Sequence, residues 1–503
     1  VTESATSPSL DKPGLALSAL ERFYRTPLDR ELERQLTESP TAAALALFHA
    51  AASEVPAYGI FLAEAGCDPA RLRGAADFAR VPVATKDSYH RRHPLAALCR
   101  RGELAQNDML AVSSGSSGEP TIWPRFVADE LGSAFRFEQV FRDAFRAHER
   151  RTLAVICFAL GSWVGGMYTT ACLRHLAAKG YPLTLVTPGN NKLEILRVLR
   201  ALAPSFEQVV LCGYPPFLKD VIDSGRADGF AWQAQPVKLV MAGEVFSEEW
   251  RSVVCDRLGA AEPELATASL YGTADGGVLA SETPLSIRIR RALARAPELA
   301  RELFGEARLP TLCQYDPLHR YFEAVDGDLL FSGDGGIPLV RYKILDRGGL
   351  FAFEELTSRV TAALPSMASP TDARARRQPF VYVFGRSNFA LSFYGANVYP
   401  ENVAVGIEQP ALLTALSGKF VMQIQVDADQ NPWLQIAIEL LPGQSSSAAL
   451  AADVAASIQR ELERLNSEFK NYVPVERRLP NVRLVQHADP ELFPLGVKHR
   501  YTR

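Results

Sequence analysis

The chain has 503 residues, with 54 lysines and arginines against 57 aspartates and glutamates, for a formal net charge of −3. Hydrophobic residues make up 47% and charged ones 22%, the balance of a folded chain too long for a single core. So even a charge excludes the electrostatic footprint of a binder of nucleic acid or anionic membrane.

No apolar run of about 18 residues and no basic-then-apolar leader occurs, so neither a helical membrane span nor a secretory signal is expected. The seven cysteines (67, 99, 157, 172, 212, 255 and 313) are scattered singly without a CxxC pair. That pattern predicts buried thiols in a reducing cytoplasm.

Taken in chain order, residues 15–36 and 42–65 are predicted to be helices. "VPVATKDSYHRR" follows as a short extended piece entering a helix, with Lys86 near its start. "AVSSGSSGEPTIWPR", beginning at Ala111, combines serine hydroxyls and glycine amides with a nearby helix start. These are the materials of an anion cradle, although the Gly-Lys-Ser/Thr ending of a P-loop is absent and a flexible linker has the same composition.

From Leu153 strands and helices alternate: "LAVICFALG", "MYTTACLRHLAAKG", "PLTLVTPG", "NNKLEILRVLRALA", "FEQVVLCGYP" and "VKLVMAGEVFS". In the second helix Ile195, Val198, Leu199 and Leu202 recur at helical spacing. Apolar strands alternating with helices predict a covered parallel sheet. Ligands bind such sheets at the C-terminal ends of the strands. There, Trp163, Tyr214 and Phe217 would line a slot for an organic acid, with room left by Gly165 and Gly166.

After about residue 305 the texture changes to short strands between glycine turns, "GDLLFSG", "GIPLVRYKI" and "FVYVFGRS", as in a barrel-like or antiparallel subdomain. Beyond residue 386, Met422, Ile424 and Val426 alternate with polar residues, and so do Leu434, Ile436, Ile438 and Leu440 after a "DADQNP" turn. A long helix then carries Leu450, Val454, Ile458, Leu462, Leu465 and Phe469. The organisation expected is α/β, with a large unit at 1–385, a small α+β unit at 386–503, and a cleft between them.

Five further patches carry chemistry: "MAGE" at 241–244, "YGTADGG" at 271–277, "RYKILDRGG" at 341–349, "GRSNFALSFYGANVYPEN" at 385–402, and Lys498 in "LFPLGVKHRYTR". In this order and spacing, from about residue 60 onward, the chain resembles the adenylate-forming enzymes, specifically the phenylacetate–CoA ligase-like branch. The resemblance implies a large AMP- and acid-binding domain with stacked sheets and a β-barrel-like subdomain, followed by a small mobile lid domain. It implies an AMP-forming acid–thiol ligase that uses ATP and Mg²⁺, joins a carboxylic acid, most plausibly an aryl one, to AMP, and hands it to coenzyme A. A homodimer is what the branch implies.

Residue by residue, the resemblance makes Ser113, Ser114, Gly115, Ser116, Ser117, Gly118 and Thr121 the phosphate loop. Gly243, Glu244, Gly272 and Thr273 join the nucleotide site. Tyr271 would stack near adenine or line the acid pocket. Asp275 would hold Mg²⁺, a hard cation that seeks carboxylate oxygen. Asp346 would accept from the ribose hydroxyls, and Arg341 is a basic residue of the same strand. Arg386 and Lys498 would be catalytic, the lysine neutralising charge as carboxylate oxygen attacks phosphorus.

Read without the resemblance, Asp275 is a turn aspartate and Lys498 a solvated charge in a basic tail. Three departures stand out. Glu119 occupies the place of a lysine, with Arg125 a few residues on to compensate; the motif acid is Asp275 rather than glutamate; and Asn388 replaces the hinge acid. They leave open other acceptors, such as a carrier protein, an amine or a hydroxyl in secondary metabolism, and a non-catalytic nucleotide-binding homologue.

Overall fold

In the computed structural model, described over residues 12–112, 121–161, 164–243, 245–306, 308–367, 376–386, 391–393, 396–426, 432–466, 469–470, 473, 475–494 and 501–502, prolines divide the N-terminal helices. The two predicted helices are four: α1 (Lys12–Arg25), α2 (Leu28–Thr37), α3 (Pro40–Glu54) and α4 (Pro56–Glu64). Pro40 and Pro56 occupy first turns, where a missing N–H costs nothing. The residues before them, Ser39 and Val55, are extended, as a following proline requires.

The predicted helix after Val83 does not form. Ala84 bridges Tyr342, Thr85 and Ser88 hydrogen-bond each other, and a single 3₁₀ turn spans His90–Arg92. Pro94 forces His93 into extended backbone, which leaves no room for a longer helix before α5 (Leu95–Leu98). β1 (Met109–Val112) and β2 (Ile122–Arg125) then form an antiparallel hairpin. The Ser/Gly stretch 113–118, Glu119 and Pro120 lie outside the described residues.

After α6 (Val127–Gln139) the predicted alternation appears as β3 (Thr152–Ile156), α7 (Val164–Ala178), β4 (Leu183–Val186), α8 (Lys192–Leu202), β5 (Gln208–Gly213), α9 (Pro215–Ala227), β6 (Val237–Ala242), α10 (Glu248–Leu258) and β7 (Thr267–Thr273). These strands pair in parallel in the order β4-β3-β5-β6-β7. Ala154, Ile156, Val210 and Cys212 pack on one face, and Leu153, Val155, Val209 and Leu211 on the other. Burial on both faces is why the strands read as continuous apolar runs rather than alternating ones. All seven cysteines are free, and only Cys67 is not buried.

A tight turn leads to β8 (Gly277–Ser281), followed by α11 (Pro284–Ala294), α12 (Pro297–Phe304), β9 (Thr311–Gln314), β10 (Tyr321–Val325), β11 (Asp328–Gly333), β12 (Leu339–Phe351), α13 (Phe353–Ala363) and β13 (Phe380–Arg386). The antiparallel strands expected as a barrel-like subdomain pair continuously with the parallel ones. One sheet of 11 strands runs β10-β11-β12-β13-β9-β8-β7-β6-β5-β3-β4. The seam is made by β13, which pairs with both β12 and β9, and by Ser281 opposite Gln314.

The remaining chain holds the β14 (Leu391–Phe393) and β15 (Ala396–Val398) pair, α14 (Pro400–Ile407), β16 (Leu416–Val426), β17 (Pro432–Leu440), α15 (Ala448–Leu465) and β18 (Asn481–Val485). Strands β16, β17 and β18 form a three-stranded sheet. Met422 lies opposite Ile436 and Ile424 opposite Leu434, so the alternating residues meet on one face and pack against Val454, Ile458 and Leu462 of α15. Residues 427–431 of the "DADQNP" turn lie outside the described residues. Among the described residues no single helix is long and apolar enough to cross a membrane.

Polar contacts hold this region against the large sheet. Lys219 Nζ donates to Leu416 O at 3.1 Å, Arg257 Nη2 to Leu413 O at 3.0 Å, and Ser247 N to Glu408 Oε2 at 3.1 Å. Burial pushes the Glu408 carboxyl up to about 7, helped by Glu249 and opposed by the Ser247 contact and by Arg290. Below that value the folded chain keeps a proton that the unfolded chain releases above about pH 4.5. Stability is therefore expected to fall by about 3 kcal/mol as pH rises from 4.5 to 7 through this group. Urea midpoints of wild type and Glu408→Gln at pH 5 and pH 8 check it: the substitution removes that share of the pH dependence.

Candidate active site

The C-terminal ends of β3, β5, β6 and β7 lie side by side, and the residues that follow them converge. Phe158 and Tyr214 meet edge to face at 5.0 Å. A Cβ on Gly165 would lie 3.5 Å from the Phe158 ring and 3.6 Å from the Tyr214 hydroxyl. Gly243, at φ +83°, brings the backbone after β6 against the Tyr214 ring, where a side chain would collide at 2.9 Å. Of the residues expected to line an acid slot, Tyr214 and Gly165 meet here, with Phe158, which the sequence did not single out, as the second ring.

Two members of that slot are placed differently. Gly166 does not leave pocket space: a Cβ there would sit 2.3 Å from the Ala159 carbonyl oxygen, so its glycine lets α7 approach the strand end. Phe217, the third residue of α9, packs with the core on the opposite face of the sheet from Phe158 and Tyr214. Trp163 and Glu244 lie outside the described residues.

The residues expected on the nucleotide side assemble between the β7–β8 turn and β12. Tyr271, at the end of β7, stacks on Phe322 at 6.3 Å and donates from its hydroxyl to Asp346 Oδ2 at 2.6 Å. Asp346 is buried and stands opposite Arg386 in the β12–β13 ladder. Gly272 has Gly277 O where a Cβ would be, at 2.9 Å. Thr273 closes the turn by accepting from Gly276 N at 3.0 Å. Thr121, just ahead of β2, is buried.

Asp275 projects from this turn. Tyr342 donates to its Oδ2 at 2.8 Å, and Lys86 Nζ stands 3.9 Å from its Oδ1. The Lys86 ammonium also lies over the Trp123 ring at 5.6 Å. His90 packs on the same ring at 4.3 Å, and burial holds its imidazole down at about 4, hence neutral. Two positive or neutral nitrogen groups and an anchored carboxylate thus border the turn.

Mg²⁺ takes oxygen ligands and is commonly shared between one or two carboxylates and phosphate groups. Asp275 fits that use: it offers one carboxylate, oriented by Tyr342. Among the described residues no cluster of three or more histidine, cysteine or acidic side chains could hold a metal ion.

Two arginines are committed elsewhere. The guanidinium of Arg341 does not join Asp346: it pairs with Glu323 at 2.9 Å and donates to the carbonyls of Ala79 and Val81, each at 2.6 Å. The cause is a bulge in β12, where Arg341 has φ +45° and the register with β11 shifts. Arg125 is buried against Asp129 and the carbonyls of Ala274 and Asp275; Glu119, which it was expected to compensate, lies outside the described residues. Asn388 and Lys498 lie outside the described residues, and of Arg386 only the backbone is described. Lys86 and Tyr342 were assigned no role from sequence. Tyr342 was visible as the neighbour of Arg341, on the other side of the strand.

No protein-family model matches the chain. It is 25% identical over 250 residues to a phenylacetate–coenzyme A ligase of Thermus thermophilus, a match covering 49% of this chain and 52% of that protein. The chain thus spans about half the length of the curated relative it matches. In overall structure it is similar to 2-hydroxyisobutyryl-CoA ligase crystallised in the postadenylation state with R3-HIB-AMP, at a TM-score of 0.65 and 14% identity, covering 100% of this chain and 94% of the other. The same ligase with 2-HIB-AMP and CoA in the thioesterification state gives 0.54 and 15%, covering 97% and 91%. The fold of this chain is thus that of the 2-hydroxyisobutyryl-CoA ligase structures.

Proposed function

We propose that the chain activates a small carboxylic acid with ATP and transfers the acyl group to coenzyme A. The observation that carries this reading is the Tyr271–Asp346 hydrogen bond, which sets a buried carboxylate suited to two ribose hydroxyls beside the turn that presents Asp275. A nucleotide held at Asp346 would extend its phosphates toward Asp275 and Lys86, and the acid would lie against Phe158 and Tyr214. Bound Mg²⁺ would supply charge neutralisation on the phosphates.

In the first half-reaction a carboxylate oxygen bonds to the α-phosphorus as the bond to pyrophosphate breaks. Lys498 is assigned the developing negative charge. In the second the thiol sulfur bonds to the acyl carbon, AMP leaves, and the thiol proton passes to solvent. The segment from residue 386 onward is assigned the role of a lid that excludes water from the reactive anhydride.

Pyrophosphate release with ATP and Mg²⁺, measured across aryl, amino-aryl and fatty acids with and without CoA, tests the reading, with Lys498→Ala as control. One acid should give release and, with CoA, a thioester. Adenylate without thioester would move the acceptor to a carrier protein, an amine or a hydroxyl. ATP binding with no release for any acid would replace the ligase by a nucleotide-binding homologue.

A further inference from the structure

We propose that Arg125, Asp129 and Arg320 form a buried clasp that positions Asp275 for the metal-bearing end of the nucleotide; the inference rests on the function proposed above. Asp129, on the first turn of α6, uses both carboxylate oxygens. Oδ2 accepts from Arg125 Nη1 at 3.0 Å and Oδ1 from Arg320 Nη2 at 2.9 Å. Further donors of the two guanidiniums hold three consecutive carbonyls of the turn. Arg125 Nη2 donates to Ala274 O and, at 3.2 Å, to Asp275 O. Arg320 donates to Gly276 O through Nη2 at 2.8 Å and Nε at 3.2 Å.

All three side chains are almost wholly withdrawn from water, at 3%, 0% and 2% exposure for Arg125, Asp129 and Arg320. Burying two cations against one carboxylate is costly, and apolar residues of the same volume would fill the space more cheaply. The carbonyls explain the expense. Gly276 has no room for a Cβ, with Leu279 and Phe331 at 2.6 and 2.8 Å, and Gly277 lies at φ +68°. A turn of this shape directs its carbonyls away from the β7–β8 ladder, and buried carbonyls need donors.

Guanidinium forks supply them in fixed geometry. Asp275 is thereby set from both ends: Tyr342 orients its carboxylate and the clasp sets its backbone. Arg320 Nη1 also reaches Asp334 O at 3.2 Å, tying in the glycine loop after β11. Arg125, Asp129 and Arg320 are positioning residues, acting through Asp275.

Calorimetric titration of ATP into wild type, Arg320→Met and Arg320→Lys, with Mg²⁺ and in its absence, tests the clasp without any turnover. Arg320→Met should weaken ATP binding at least tenfold when Mg²⁺ is present and less than twofold without it. Arg320→Lys keeps the charge beside Asp129 but loses the fork, so it should fall between, and it serves if the methionine variant does not fold. In turnover, the Mg²⁺ concentration for half-maximal rate should rise while KM for the acid stays constant. Equal losses with and without Mg²⁺, or none in either, would overturn the clasp as a positioning device. Wild type that binds no ATP at all would instead remove the proposed function, and the clasp with it.

Discussion

Asp346→Ala is expected to lower kcat/KM for ATP by about a hundredfold or more, measured as acid-dependent pyrophosphate release. The carboxylate is buried midway along β12, and under the proposed function it would accept from two ribose hydroxyls, where a hydrogen bond to a charged group contributes about 1.5–3 kcal/mol. Losing both is about 3 kcal/mol at the least, and 1.4 kcal/mol is about tenfold in rate.

The companion substitution Tyr271→Phe separates binding from orientation. It leaves the carboxylate in place but removes the hydroxyl that holds Oδ2 at 2.6 Å, so a loss of about tenfold is expected. An unchanged KM for ATP in Asp346→Ala would take the residue out of the nucleotide site.

Arg251→Met is expected to destabilise the large sheet by about 3–5 kcal/mol, seen as a lower urea midpoint. Arg251 is fully buried and pairs with Glu248 at 3.0 Å and Glu282 at 2.6 Å, while donating to Thr267 Oγ1 at 2.6 Å. Glu248 is shared with Arg290, and Glu282 accepts from Ser269 N at 2.8 Å. The cluster ties α10 and α11 to β7, the strand that carries Tyr271.

Removing the central cation leaves two buried carboxylates short of a partner, the costly way to break such a network. The partner charges hold the Glu248 carboxyl below its ordinary range despite burial. The double variant Arg251→Met/Glu282→Gln should recover part of the loss, because it removes one of the stranded charges. Equal midpoints for wild type and Arg251→Met would show that the cluster contributes nothing to the fold.

The parallel half of the sheet was legible from the sequence because each strand is buried on both faces, so its apolar run needs no knowledge of its neighbours. The alternation of Met422, Ile424, Leu434 and Ile436 was equally plain, since one face of β16–β17 meets α15 and the other does not. Helix breaks at Pro27, Pro40 and Pro56 were readable in principle, but apolar spacing on either side masked them. The expected helix after Val83 failed because Thr85, Ser88 and Pro94 act locally against it, which a pattern of side-chain polarity does not report.

At the site, Tyr271, Asp275 and Asp346 were legible as candidates from the sequence, through the resemblance of their short motifs to those of the adenylate-forming enzymes. Their relation was not. That Tyr271 binds Asp346, that Tyr342 and Lys86 attend Asp275, and that Arg341 serves Glu323 and the carbonyls of Ala79 and Val81 depend on strands far apart in the chain. Two positive-φ residues in β12, Arg341 and Leu345, break its alternation, so the facing of each side chain could not be counted along the strand. Arg125, Asp129 and Arg320 carry no motif. Their roles arise where α6 and the loop before β10 close over one turn, because buried carbonyls take whichever donors the tertiary fold brings within reach.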